Sequence, residues 1–167
     1  AGPGVDPWEI AWGDPETCGA LGLAADGPFA PWSRFQTGFA LDYLAGGFDG
    51  GWARTVGFTA ADLRRFVTVA ALPVSGAVLE LVPAATEKVG PALAARGFAE
   101  STVQGVTAWA RGADNAISLA LRDPADPFGG STGKSSRVLL DGDRLAQASE
   151  WPLLASLAGV SGSLGHT

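Results

Sequence analysis

Residues 76–97, GAVLELVPAATEKVGPALAARG, decide the fold. Ala77 to Val82 is a short apolar run carrying one charge, Glu80, which is the length and character of a mostly buried strand. Pro83 ends it. Val89, Leu93 and Arg96 then recur at helical spacing, with Ala92, Ala94 and Ala95 filling the turns. Gly97 stands where a helix terminates in a left-handed residue. A strand feeding a helix is half of a layered α/β unit, and the remaining chain must supply what packs against it.

Working back towards the N-terminus, Phe66–Leu72 (FVTVAAL) is rich in β-branched residues and predicts a strand, turned into the next one by Pro73-Val74-Ser75-Gly76. Before it, Thr59 with Asp62 three residues on resembles a capping box. It predicts a short helix with Leu63 and Phe66 as the apolar face and Arg64 and Arg65 as the wet one. Phe35–Leu44 fits either a strand or a short helix, and Gly46, Gly47, Gly50 and Gly51 punctuate the loop that leads to Trp52. Residues 1–34 carry Pro3, Pro7, Pro15, Pro28 and Pro31 among Trp8, Ile10, Trp12 and Trp32. That pattern predicts an irregular arm whose aromatics dock on the main domain, because large aromatics bury much area.

Working forward, Phe98–Val103 and Gly105–Ala110 predict two strands, and Ala116–Leu121 (AISLAL) a third after the turn RGADN. Residues 122–135, RDPADPFGGSTGKS, have no periodicity and predict a loop. Arg137–Ala148 predicts a hairpin turning at Asp141-Gly142. Ser149 and Pro152 open a last helix running to about Leu157, and residues 159–167 form a flexible tail. The three segments are therefore an arm (1–34), a domain (35–158) and a tail (159–167). The expected architecture is an α+β two-layer sandwich, a mostly antiparallel sheet with helices on one face, in a ferredoxin-like split βαβ arrangement.

The sequences GFTAADLRRFVTVAALP (57–73), AVLELVPAATEKVGPALAARGF (77–98), QGVTAWA (104–110) and SRVLLDGDRLAQAS (136–149) together resemble a repeat found in uncharacterised bacterial exported proteins. The resemblance spans roughly residues 57–158 and rests on positions that set a fold. It implies a secreted α+β module and no particular chemistry.

Composition excludes several classes. With 167 residues, 47% of them hydrophobic and 17% charged, the chain can bury a full core. Its net charge of −6 repels phosphate backbones, so nucleic acid is not an expected partner. No apolar run approaches the ~20 residues of a membrane span. The chain begins at Ala1 and contains no methionine. Ala1 is the small residue that signal-peptidase cleavage leaves, so a periplasmic or extracellular location is expected. Cys18, the single cysteine, predicts a buried thiol or a bridge to another chain.

Residues 128–135, FGGSTGKS, resemble a phosphate-binding loop, but Phe128 stands where the first glycine belongs and a strand follows where a helix is needed. Asp123, Asp126, Asp141 and Asp143 could gather round calcium only by tertiary chance, since no EF-hand spacing links them. His166, the single histidine, sits beside the last residue and suits no triad. A Ser-Lys pair from Lys134 with Ser131, Ser135 or Ser136 lacks its strained elbow or helix. The sequence thus predicts no catalytic, cofactor or metal residues. It predicts a non-enzymatic exported domain that associates with a protein partner or with a second copy of itself, with Trp8, Trp12, Trp32 and Trp52 as interaction residues. The rival readings are a small-ligand module with a groove between arm and sheet, and one chain of a processed enzyme completed by a partner.

Overall fold

The computed structural model describes residues 9–13, 50–71 and 73–160. Strands are β1 (Glu9–Gly13), β2 (Leu63–Ala71), β3 (Val74–Leu81), β4 (Ala99–Val103), β5 (Val106–Arg111), β6 (Ser136–Asp141) and β7 (Arg144–Ala148). Helices are α1 (Gly51–Val56), α2 (Pro83–Ala95) and α3 (Trp151–Val160). The strands make one seven-stranded sheet in the order β1-β2-β3-β7-β6-β5-β4, antiparallel at every pairing. Three hairpins build it, β2–β3, β4–β5 and β6–β7. The fold is α+β, as the sequence predicts.

The deciding stretch folds as read. β3 runs into α2 at Pro83, and α2 lays Ala85, Val89 and Leu93 on the sheet at four-residue spacing. Gly97 follows the helix with φ of 77°, a left-handed stop. Leu79, Leu81, Val89, Leu93 and Val138 share one cluster, with Leu140 packed against it. In the β6–β7 hairpin the ladder closes at Asp141↔Arg144, so Gly142 and Asp143 form the turn, one residue later than expected. Gly142 takes φ of 60°, which a two-residue turn of the hairpin hand demands at its first central position.

The helices do not share one face. Successive strand residues point to opposite sides of a sheet, and consecutive residues here fall into different clusters. Val138 and Leu145 pack with α2, whereas Leu139 and Ala146 pack with Leu154 of α3. The sheet is covered on both sides by helix, α2 with α1 over one face and α3 over the other. The expectation of helices on one face is corrected accordingly. Nor does the order follow a split βαβ, since β7, β6 and β5 all lie between β3 and β4, the strands that α2 connects.

Two local predictions also fail. Thr59 and Asp62 do pair, with Thr59 N–H and Oγ1–H both donating to Asp62 Oδ2 at 2.7 and 2.8 Å. They cap a single 3-10 turn, Ala60–Asp62, and Leu63 then enters β2, because the sheet offers this segment a whole ladder of bonds. Ala116–Leu121 is not a strand either. Ile117 makes one isolated bridge to Lys134, and Leu119–Leu121 is a 3-10 turn. The arm is not wholly irregular, since Glu9–Gly13 pairs with β2. Phe35–Leu44, the 34/35 boundary, Cys18, His166 and residues 161–167 lie outside the described residues.

Candidate functional site

The loop 112–135, between β5 and β6, is fastened by two partly buried polar ties at one end of the sheet. Asp126 is fully buried and receives two guanidinium groups on one oxygen, Arg96 Nη2 at 2.7 Å and Arg111 Nη2 at 3.1 Å. Its second oxygen accepts the amide of Phe128 at 2.9 Å. Phe98 lies beneath both arginines, its ring centre 5.8 Å from the Arg96 guanidinium carbon and 4.7 Å from that of Arg111. Burial and the neighbouring Arg96 lower the pKa of Arg111, while Asp126 opposes the shift. The cluster ties the end of α2, the end of β5 and the loop to one carboxylate. A buried ion pair of this kind is costly to break, because one partner is left charged in the interior.

A second tie closes the loop from the other side. Lys134 Nζ donates to the Pro73 carbonyl at 2.5 Å and to Ser75 Oγ at 2.8 Å, joining the loop to the β2–β3 turn. Burial lowers the Lys134 pKa, partly offset by the charge of Glu150. Beside it the Ser75 amide donates to Ser149 Oγ, which donates to Asn115 Oδ1 at 2.7 Å, and Asn115 Nδ2 donates to Glu150 Oε2 at 2.6 Å. Ser149 is therefore not the helix cap that the sequence suggests. Its hydroxyl is a link between β3 and the loop.

This geometry answers the catalytic readings. Lys134 meets Ser75, 59 residues away, and not Ser131, Ser135 or Ser136. Ser75 is 2% exposed, so its hydroxyl presents no open side to a substrate. Residues 128–135 pack inward, with Phe128, Gly129, Gly130 and Gly133 all buried, and β6 begins directly after them. The lysine that would hold a phosphate instead holds Pro73. The four aspartates are dispersed: Asp126 faces Arg96 and Arg111, Asp123 faces Arg54 at 3.7 Å, Asp143 faces Arg64 at 3.9 Å, and Asp141 ends β6 at the hairpin. Among the described residues no group of three or more His, Cys, Asp or Glu side chains is placed to hold a metal.

Outward, the loop presents two large apolar side chains among exposed Asp114, Arg122 and Thr132. Ile117 is 65% exposed and Leu119 78%. Their backbone is held firmly: Ser118 N–H bonds Gly133 O, Ser135 N–H bonds Ala116 O, and Asn115 N–H bonds Ser149 O, all at 2.8–2.9 Å. A groove of about 180 Å³ lies elsewhere, lined by Arg65, Val67, Val78, Glu80 and Arg144. A bulge between Leu63 and Arg65 sets Arg64 and Arg65 together beside Glu80, at 3.4 and 2.7 Å.

Of the tryptophans predicted to meet a partner, Trp52 is buried in the core, edge-to-face on Phe58, and offers no surface. The backbone of Trp12 pairs with Val67 in β1–β2. Trp8 and Trp32 lie outside the described residues. Sequence reasoning missed Ser75, Asp126 with its two arginines, and the Ile117–Leu119 tip. Only the last left a signal, an apolar run set between Gly112 and Pro124. No family model matches the chain, and no curated protein or solved structure matches it either.

Proposed function

We propose that this chain is a non-enzymatic, exported domain that works by protein–protein association, as a subunit or accessory protein, through the tip of its 112–135 loop. The observation that carries the reading is the exposure of Ile117 and Leu119 on a backbone held by the bonds from Ser118 N–H to Gly133 O and from Ser135 N–H to Ala116 O. Large apolar side chains displayed together on an ordered loop suit an interface, and a preordered loop loses little further entropy on binding. The test replaces both residues, Ile117→Asp with Leu119→Asp, and compares the full chains by sedimentation velocity over a wide concentration range and by melting temperature. The reading predicts self-association that the double variant loses at an unchanged melting temperature. A chain that stays monomeric at every concentration, with both residues needed for stability, would contradict it.

A small-ligand reading draws on the groove at Val67 and Val78, whose arginine rim suits a small carboxylate. Its volume is below the ~300–1,000 Å³ of ordinary ligand pockets, and association is the better-supported function.

A further inference from the structure

Lys134, Asn115 and Glu150 meet at one end of the sheet in an order that chemistry can use. Hydrogen bonds join them in a single chain: Lys134 Nζ to Ser75 Oγ at 2.8 Å, Ser75 N–H to Ser149 Oγ at 3.0 Å, Ser149 Oγ to Asn115 Oδ1 at 2.7 Å, and Asn115 Nδ2 to Glu150 Oε2 at 2.6 Å. The loop's own ladder brings the lysine and the asparagine close. Lys134 pairs with Ile117, two residues from Asn115, and Ser135 N–H bonds Ala116 O. Diagonal neighbours at that offset lie about 7–8 Å apart, within the combined reach of a lysine and an asparagine.

Each member carries a different part of one reaction. Both acceptors of the Lys134 amine are uncharged, the Pro73 carbonyl and the Ser75 hydroxyl. A neutral amine has two hydrogens and a lone pair, so these acceptors satisfy its hydrogens and leave the lone pair for attack. Burial favours that neutral form, although the charge of Glu150 opposes it. The Asn115 amide is turned one way only, because Nδ2 faces a carboxylate and Oδ1 a hydroxyl. Ser149 Oγ already accepts the Ser75 amide, so its own proton points at Oδ1, the oxygen on which charge would develop. The backbone there is fixed as well: Asn115 holds φ of 55° and its N–H bonds Ser149 O at 2.9 Å. Glu150, against Nδ2, is placed to move a proton. No substrate has to enter, so the burial of Ser75 and Ser149 is no obstacle.

We propose that the folded chain closes an isopeptide bond between Lys134 and Asn115, with Glu150 as proton carrier and Ser149 as donor to the oxyanion. Nζ attacks Asn115 Cγ and the new C–N bond forms. The Cγ–Nδ2 bond then breaks, with Nδ2 leaving as ammonia. Glu150 accepts the proton that Nζ sheds and returns it to Nδ2. Until the bond closes, Lys134 remains the clamp described above. Once closed, the ring encloses Ile117 and Leu119 and makes the support of the tip covalent. The bond forms whatever the tip binds.

The test is the intact mass of the full chain after prolonged incubation, folded, at neutral pH. Asn115 is the single asparagine and Lys88 the only other lysine, so the product is assigned without ambiguity. The chain is expected to be lighter than its sequence by one ammonia. Trypsin should then release residues 112–122 joined to residues 123–137, uncut after Lys134, while cutting after Lys88 as usual. Lys134→Arg and Asn115→Ala are expected to keep their full mass. Glu150→Gln keeps an acceptor for Nδ2 but cannot carry the proton, and should close about a hundredfold more slowly. A native chain that keeps its full mass would overturn the proposal and leave a polar network only. So would a lost ammonia that maps to a succinimide at Asn115 with Lys134 free, or closure of Glu150→Gln at the native rate.

Discussion

Beneath α2 the sheet presents Phe66, Leu79, Leu81, Trp109 and Leu145; beneath α3 it presents Gly76, Ala108, Ala146 and Ala148, with Leu139 as the large residue. On the first face large side chains interdigitate, and the indole of Trp109 lies against Gly90 of α2. On the second, the sheet contributes mostly small residues, with Val103 and Val106 beside Leu139, and the helix supplies much of the bulk, Leu153, Leu154 and Leu157. The lesson is that one sheet can hold helices on both sides by dividing the volume unequally. The α2 face is also locked at one end by charge. The α3 face has a charge of its own there, Arg137, buried over the Trp151 ring and paired with Asp114 at 2.6 Å.

Three substitutions sharpen that contrast. Asp126→Ala should be the most damaging, because it leaves Arg96 and Arg111 buried without their carboxylate on the α2 face. A loss of about 3–5 kcal/mol by denaturant unfolding is expected. A loss below 1 kcal/mol would show that water reaches the arginines and that the lock contributes little. Next comes Gly76→Ala on the α3 face, where an added methyl would meet Leu157 Cδ1 at 2.8 Å, Leu153 Cδ2 at 3.0 Å and the Gln147 carbonyl at 2.8 Å. The expected cost is about 1–3 kcal/mol of overpacking, with hydrogen exchange quickening in α3 before α2. Uniform quickening in both helices would mean that the faces are not independent.

The smallest effect concerns the Lys134 clamp. Burial lowers its pKa in the folded chain, so between that lowered value and the ordinary 10.5 the unfolded chain binds more protons. Stability contributed at this site must therefore rise with pH through that window, as the desolvated charge is relieved. Compared with Lys134→Met, the native chain should gain relative stability as pH approaches 10.5. An opposite slope would indicate that the bonds to Pro73 and Ser75 outweigh desolvation.

How far these features could be read from sequence depends on how local they are. The β3–α2 unit and the β6–β7 hairpin were legible because their signals, Pro83, Gly97 and Gly142, act within a few residues. The two covered faces left a trace that was easy to misread. Val138-Leu139-Leu140 is an unbroken apolar run where a sheet with one wet face would alternate, and such runs belong to strands buried on both sides. The helix expected at Thr59 shows the reverse case: its Thr59–Asp62 pair forms, yet a nine-residue strand outweighed one local motif. The loop chemistry was invisible. Asp126 meets arginines 30 and 15 residues away, and Lys134 meets Ser75 across 59, and no spacing in the chain announces such pairs.

The division of the sheet into two covered faces is most directly tested by a distance between its helices. Spin labels at Glu87→Cys on α2 and Ser156→Cys on α3, both exposed positions, would be introduced with Cys18 replaced by serine. Helix layers lying about 10 Å on either side of a sheet predict a dipolar distance of well over 20 Å. A distance near 10 Å, that of two helices packed side by side, would place α2 and α3 on one face and contradict the account.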